Sequence, residues 1–242
     1  MRIKFSLAYL PLILFSLVCL GFLLLSSCLP ASASITDKSD HVVAFEPTFI
    51  AKTIGADRFE HAPVEARQYQ RLLRRSAHAY WGLDAPIATM AGQVHQESRW
   101  QPDAKSPVGA EGLAQFMPTT SDWFSTLYPD ALGDNQPFHP GWALRALVLY
   151  DHWLYQRVTA ADNCQRWALT LSAYNGGLGW VYRDKQLASA KGADPLVWFN
   201  SIEHHSRRAD WARRENRTYV RNILTRWELM YAAAGWGAGI CH

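Results

Sequence analysis

From Ile87 the apolar residues of this chain fall at Met90, Ala91 and Val94, in steps of three and four, and the same face next passes through Glu97 and Ser98. That spacing commits the stretch to an amphipathic helix and sets a carboxylate where a core residue is expected. Asp84 and Pro86 supply the start, because proline is tolerated in a first helical turn and an acidic residue suits a helix N-terminus. Arg99-Trp100-Gln101-Pro102 supplies the end, since proline disfavours α geometry at the residue before it. A glutamate half in a core and half facing a cleft loses hydration when ionised. Its pKa is therefore expected to rise toward the range of a proton donor at neutral pH. Spacing alone leaves a competing reading, an ordinary surface glutamate at a frayed helix end.

The rest of the chain repeats the helical period. A helix after Pro63 carries Tyr69, Leu72, Leu73 and Tyr80 on one face and Arg67, Arg71, Arg74 and Arg75 toward water, and Gly82 ends it. Gly109 to Pro118 reads as a loop, and Pro118-Thr119-Thr120-Ser121 opens another helix. Prolines and glycines interrupt any element between Tyr128 and Pro140. Ala143, Leu147, Tyr150 and Leu154 mark a long helix, and Trp167, Leu171 and Tyr174 mark another, halted by Gly176, Gly177 and Gly179. A last helix runs from about Arg213 to Ala233, with Val220, Ile223, Leu224 and Trp227 inward. There is no alternating β pattern of any length and no internal repeat. The expected fold is all-α, mainly helical and a single domain, with room for a minor strand pair in one long loop.

The N-terminus bears on compartment. Arg2 and Lys4 precede an apolar run from Phe5 to Leu25, the order of a secretory leader. Three outcomes compete for residues 1–34. Leu25-Ser26-Ser27-Cys28 resembles the lipobox of bacterial lipoproteins, with Cys28 as the lipidation candidate; Ala31-Ser32-Ala33 suits ordinary signal peptidase; and the run is long enough for an uncleaved membrane anchor. The lipoprotein form is preferred, and all three put the domain outside the cytoplasm. Residues 35–62 lack periodicity and read as an irregular strap or tether, leaving 63–242 as the folded domain.

Cys19 falls in the leader, so two cysteines remain if Cys28 is lipidated or removed. Cys164 and Cys241 are then a disulfide candidate in an oxidising space, with two free buried thiols as the alternative. No CxxC or clustered His/Cys pattern offers a metal site, and His204-His205 reads as surface. No metal or other cofactor is expected. Formal net charge is +3, and Arg2 and Lys4 account for two of those charges, which argues against a dedicated nucleic-acid binder. Eleven Trp and ten Tyr fit either an aromatic helical core or rings lining a carbohydrate groove.

Four motifs stand in order along the chain: HQESRW around Glu97, SPVGA (Ser106 to Ala110) leading into GLAQFMP, AYNGG from Ala173, and ENRTYV from Glu215. Together, over about Pro86 to Trp227, they resemble the soluble lytic transglycosylase family, bacterial enzymes with a goose-lysozyme-like helical domain that cleaves peptidoglycan. The resemblance implies that 63–242 is a catalytic domain with Glu97 as its acid/base. It also implies that Ser98 contacts the reacting sugar and helps orient Glu97, that Gln115 and Met117 line the cleft, that Tyr174 and Asn175 stand opposite, and that the Tyr219 hydroxyl reaches the carboxylate. Three positions depart from the family pattern. Ala114 replaces a larger residue and is expected to widen a subsite, Gly177-Leu178 is expected to loosen the loop after Asn175, and Asn216 stands where threonine is common.

The implied partner is the peptidoglycan glycan strand, with periplasmic or cell-envelope location and an anchor in the membrane through lipid or the N-terminus. Ordinary glycoside hydrolases set two carboxyl groups across the bond, whereas substrate-assisted enzymes use the sugar's own acetamido group. A single glutamate thus points to non-hydrolytic cleavage with a 1,6-anhydro product. A hydrolytic muramidase would need a second carboxylate, of which Asp103 is nearest in sequence. A third reading is a wall-binding component of a secretion or conjugation apparatus. It would use the polar strap and the arginines from Arg207 to Arg221, a stretch that otherwise reads as a solvated helix face balanced by Asp210 and Glu215.

Overall fold

A computed structural model describes residues 61–241. The expected leader, Cys28 and all but the last two residues of the expected strap lie outside these residues. Pro63 leads into a short helix α1 (Val64–Arg67) and then α2 (Gln70–Trp81), which Gly82 ends in a left-handed conformation. Helix α3 (Ile87–Ser98) follows with the bounds its spacing predicts. Its burial differs from the expectation, however, because Ile87 through Val94 are buried on every side. It is a central helix, wrapped by α2 and by the C-terminal part of the chain, and only its last turn meets water.

The end of α3 is a left-handed turn at Arg99 (φ 52°) and Trp100 (φ 67°), three and two residues before Pro102. Such angles cost energy outside glycine and persist only where the surroundings over-determine them. Here Trp100 is the anchor: it is 2% exposed, stacks on Tyr69 and donates its indole N–H to the Tyr231 hydroxyl. The loop that follows contains no strand pair. Its pairing is limited to isolated bridges, Lys105 with Glu111 and Glu111 with Phe116, because each contact closes a tight turn and not a ladder.

Proline opens α4 (Pro118–Leu127), α5 (Pro129–Leu132) and α6 (Pro140–Tyr155), using the first-turn position where its missing N–H costs nothing. The four-residue α5 lies in a stretch expected to hold no element. Helix α7 (Asn163–Gly176) is capped by Asp162, whose carboxylate accepts the Gln165 N–H at 2.9 Å. Gly177 (φ 91°) then breaks the chain for a single residue, and α8 (Leu178–Ala190) begins at once. The expected loose loop after Asn175 is therefore absent. Helix α8 escapes the sequence pattern because its buried stripe is Val181, Asp184 and Ala188, with a carboxylate in the middle.

That aspartate explains the arginines downstream. Arg217 Nη2 lies 3.0 Å and Arg208 Nη2 3.5 Å from Asp184 Oδ2, while Arg221 pairs with Glu203 at 3.0 Å. The stretch is thus in part an internal ion-pair network and not simply a solvated face; of the two acids expected to balance it, Asp210 pairs with Arg213 at 3.3 Å. His204 is exposed, as expected for a surface residue, and ends a 3-10 turn (Ile202–His204). The last long helix starts three residues earlier than its apolar pattern: α9 (Asp210–Asn222) runs through a π turn (Ile223–Trp227) into α10 (Glu228–Ala233). Among the described residues no helix is long and apolar enough to cross a membrane.

Cys164 and Cys241 form a disulfide, with Cα atoms 4.9 Å apart across 77 residues of sequence. It fastens a C-terminal tail whose Ile240 and Cys241 N–H groups donate to Glu228 Oε1, while Thr89 of α3 donates to Oε2 at 2.6 Å. Closing a loop of this length restricts the unfolded chain, so reduction, or the Cys164→Ser/Cys241→Ser double variant, is expected to cost about 2–4 kcal/mol. Urea unfolding with and without reductant measures it; an unchanged midpoint would assign the tail's stability to the Glu228 contacts alone.

Candidate active site

The last turn of α3 opens onto a cleft of about 330 Å³, lined by Glu97, Gln115, Met117, Tyr150, Tyr174, Asn175 and Glu215 among others. Glu97 is half-buried at its floor. The Tyr219 hydroxyl, from α9, donates to Glu97 Oε1 at 2.5 Å. Loss of hydration pushes the Glu97 carboxyl up to about 8; the Tyr219 bond opposes the shift and the nearby Glu215 carboxylate adds to it. Desolvation wins, so Glu97 is a neutral acid at neutral pH. Since Tyr219 occupies Oε1, the acidic proton belongs on Oε2.

A second acid lies beneath. Asp151 of α6 is fully buried, and its Oδ1 accepts from Gln93 Nε2, on α3 one turn before Glu97, at 3.2 Å. Its Oδ2 has no partner among the described residues. Burial holds this carboxyl well above the usual range, against the Gln93 bond, and the proximity of Glu97 raises it further. Tyr150, Tyr174 and Tyr219, packed around these acids, are all pushed up by burial and by neighbouring negative charge. The cleft floor is thus a cluster of groups that favour their neutral forms. No periodic signal points to Asp151, which sits between Tyr150 and His152 on a helix that reads as core.

The remaining side chains are held by specific bonds. Gln115 (φ 47°) gives its amide N–H groups to the carbonyls of Gly112 and Ala104, at 2.9 and 3.2 Å, which leaves its oxygen for the cleft. Asn175 accepts from Asn216 Nδ2 at 2.8 Å, which leaves its own amide donors. Tyr174 donates to the Ala114 carbonyl at 2.8 Å, so it offers the cleft a ring and lone pairs. Ala114 itself is fully buried, and its small side chain widens no subsite. Ser98 is buried too, does not line the cleft, and donates to the Leu113 carbonyl at 2.9 Å. Its hydroxyl ties the 109–118 loop to the helix of Glu97.

Asn216 is the residue whose importance the sequence hides. It is fully buried, donates to the Ser172 carbonyl and Asn175, and accepts from the Ser172 hydroxyl and Arg217, at 2.8 to 3.0 Å. Only the branched amide makes four such bonds at once. Gly112 is equally constrained: its φ is +73°, and a Cβ there would lie 1.9 Å from the Pro137 carbonyl oxygen. Gly112→Ala is expected to cost about 2–3 kcal/mol and to displace Gln115. Thermal melts report the stability cost, and an unchanged melting temperature would show that the loop shifts to admit the methyl group.

Asp103 is exposed and does not line the cleft, and the carboxylate that shares the cleft with Glu97 is Glu215. No group of three or more His, Cys, Asp or Glu side chains among the described residues is placed to hold a metal ion.

Residues 84–197 match the family described as the transglycosylase SLT domain. The chain is similar to membrane-bound lytic murein transglycosylase F of Pasteurella multocida (strain Pm70), 29% identical over 145 residues, covering 57% of this chain and 28% of that protein. It is similar also to the soluble lytic murein transglycosylase of Salmonella typhimurium (strain LT2), 34% identical over 145 residues, covering 59% and 20%. Among solved structures it is similar to the 70 kDa soluble lytic transglycosylase of Escherichia coli, with 25% identity, a TM-score of 0.54, and coverage of 70% of this chain and 25% of that one. The chain spans less than a third of the length of these relatives. Residues 84–197 are a transglycosylase SLT domain, and through it the chain is a distant homologue of the lytic murein transglycosylases.

Proposed function

We propose that the protein cleaves the β-1,4 bond between N-acetylmuramic acid and N-acetylglucosamine in peptidoglycan without water, leaving a 1,6-anhydro end. The observation that carries the reading is the neutral, Tyr219-bonded carboxyl of Glu97 at the floor of the cleft. Glu97 Oε2 gives its proton to the bridging oxygen as the C1–O bond breaks. The substrate's acetamido oxygen stabilises C1, with the Gln115 oxygen and the Asn175 amide donors available to hold the sugar's N–H and carbonyl groups. Glu97, now a carboxylate, takes the proton of the muramic C6 hydroxyl as its oxygen closes on C1. The enzyme ends as it began, and one carboxyl acts as acid and then as base. Ser98 works at one remove, by fixing the loop that carries Gln115.

A hydrolytic outcome is the second reading, because Glu215 shares the cleft and could activate water where Asp103 could not. Mass spectrometry of glycan strands digested by the purified protein tests the choice. Anhydro-muramic ends support the transglycosylase reading, and products heavier by one water overturn it in favour of Glu215-assisted hydrolysis. The wall-binding reading loses part of its support, since Arg208 and Arg217 are engaged within the fold. The Cys164–Cys241 disulfide fits an oxidising compartment such as the periplasm, and lipidation at Cys28 stands as part of the proposal.

A further inference from the structure

The wall of the cleft does not end at Tyr150. Thr120 of α4 and Tyr150 of α6 both line it, and one turn further along each helix stands a tryptophan, Trp123 and Trp153. The two indoles meet edge to face at 5.3 Å, and Trp123 meets Tyr150 in the same way at 6.3 Å. Tyr150 in turn lies 5.3 Å from Tyr174. A continuous row of rings therefore leads from the catalytic floor outward.

The outer pair is unequally covered. Trp153 is half-buried beneath the Arg157 guanidinium, 3.7 Å from the ring centroid, and Arg157 is fixed there by a 2.9 Å bond to the Trp153 carbonyl. Trp123 is 42% exposed, although its neighbour Phe124 is fully buried and already fills the core beneath α4. Packing accounts for the covered part of Trp123 but not for the part left in water, which carries a large hydration cost.

We infer that Trp123 is a sugar-stacking subsite that extends the cleft and takes the C–H face of a further pyranose of the same glycan strand; this rests on the glycan reading of the cleft. A β-1,4-linked hexosamine carries its substituents equatorially, so its ring faces are apolar and flat. Such a face covers an indole and returns its exposed area to an apolar contact, while the sugar's hydroxyls stay at the rim in water. The subsite would favour longer strands over short ones without touching the reacting bond.

The test uses the full chain in the Glu97→Gln background, with N-acetylglucosamine oligomers from trimer to hexamer as probes in calorimetric titrations. Affinity is expected to rise with length. Trp123→Ala is expected to reduce the hexamer-to-trimer affinity ratio about 3- to 10-fold, and Trp123→Tyr to keep most of it because a ring remains. An unchanged ratio in Trp123→Ala overturns the inference. So does an equal loss at every length, which would mean that Trp123 acts by supporting Tyr150. If the parent binds oligomers with no dependence on length, this inference alone falls; if it binds none, the glycan reading of the cleft falls with it.

Discussion

Glu97→Gln is expected to lower turnover of peptidoglycan strands by ~10³-fold or more, since in the proposed reaction the same group would serve as acid and as base and each role is worth ~10²–10⁴. Glycan binding should persist, because the amide oxygen can still accept from Tyr219. Wild-type release of fragments from sacculi by this variant would sink the assignment. In the unsubstituted protein the rate should fall as pH rises through about 8, where the proton needed by the leaving oxygen is lost. The same carboxyl weakens the fold. Its folded pKa is raised above 4.5, so the stability it allows is fully present below about 4.5 and is lost as pH climbs toward 8. Each tenfold change in proton affinity is worth about 1.4 kcal/mol, and partial exposure screens much of the total. Glu97→Gln should therefore gain about 1–3 kcal/mol at pH 8 and little at pH 4. Chemical denaturation at the two pH values checks the sign. Equal gains at both would mean that the carboxyl is hydrated and ionised.

Asp184→Ala is expected to cost about 3–5 kcal/mol, because it leaves two guanidinium groups without their counter-charge inside the protein. The Arg208 side chain is 4% exposed and that of Arg217 12%, and burial already draws both below their usual pKa, Arg208 to about 10. The damage should reach the cleft, since Arg217 also donates to Asn216, and Asn216 to Asn175. A melting temperature lower by roughly 10 °C is the expected signature. Asp184→Asn should be milder, as it keeps an acceptor for Arg217. A drop of only a degree or two in the alanine variant would show that water reaches the arginines and screens them.

How far sequence reaches here depends on which forces leave a periodic mark. Helix α3 can be read to the residue because its apolar steps run unbroken from Ile87 to Val94. The cleft can be read as a set of side chains: Glu97, Gln115, Met117, Tyr174 and Asn175 line it, and Tyr219 bonds the first of them. Ser98 donates instead to the Leu113 carbonyl, a partner that the returning loop supplies and that spacing along the helix does not foretell. Helix α8 stays hidden because Asp184 interrupts its stripe, and Asp184 is admitted to the interior only by arginines more than twenty residues away in sequence. Asp151 escapes notice for the same reason, and Asn216 is legible only as a departure from the family pattern, not as a buried hub. A buried polar residue looks like a surface one until its partners are placed beside it.

The bond between Glu97 and Tyr219 joins positions 122 residues apart. A chain that is still emerging during synthesis can form α3 and the loop behind it well before α9 exists, but the acid then lacks both its phenol and the wall that dries it. Contacts of such long sequence separation are among the last to reward a folding chain, because loop closure must come first. The glutamate alone, open to water, would titrate as an ordinary carboxylate and be ionised at neutral pH. The raised proton affinity of Glu97 is therefore a property of the closed fold, and a truncated or half-folded copy carries the carboxyl without the setting that keeps it neutral.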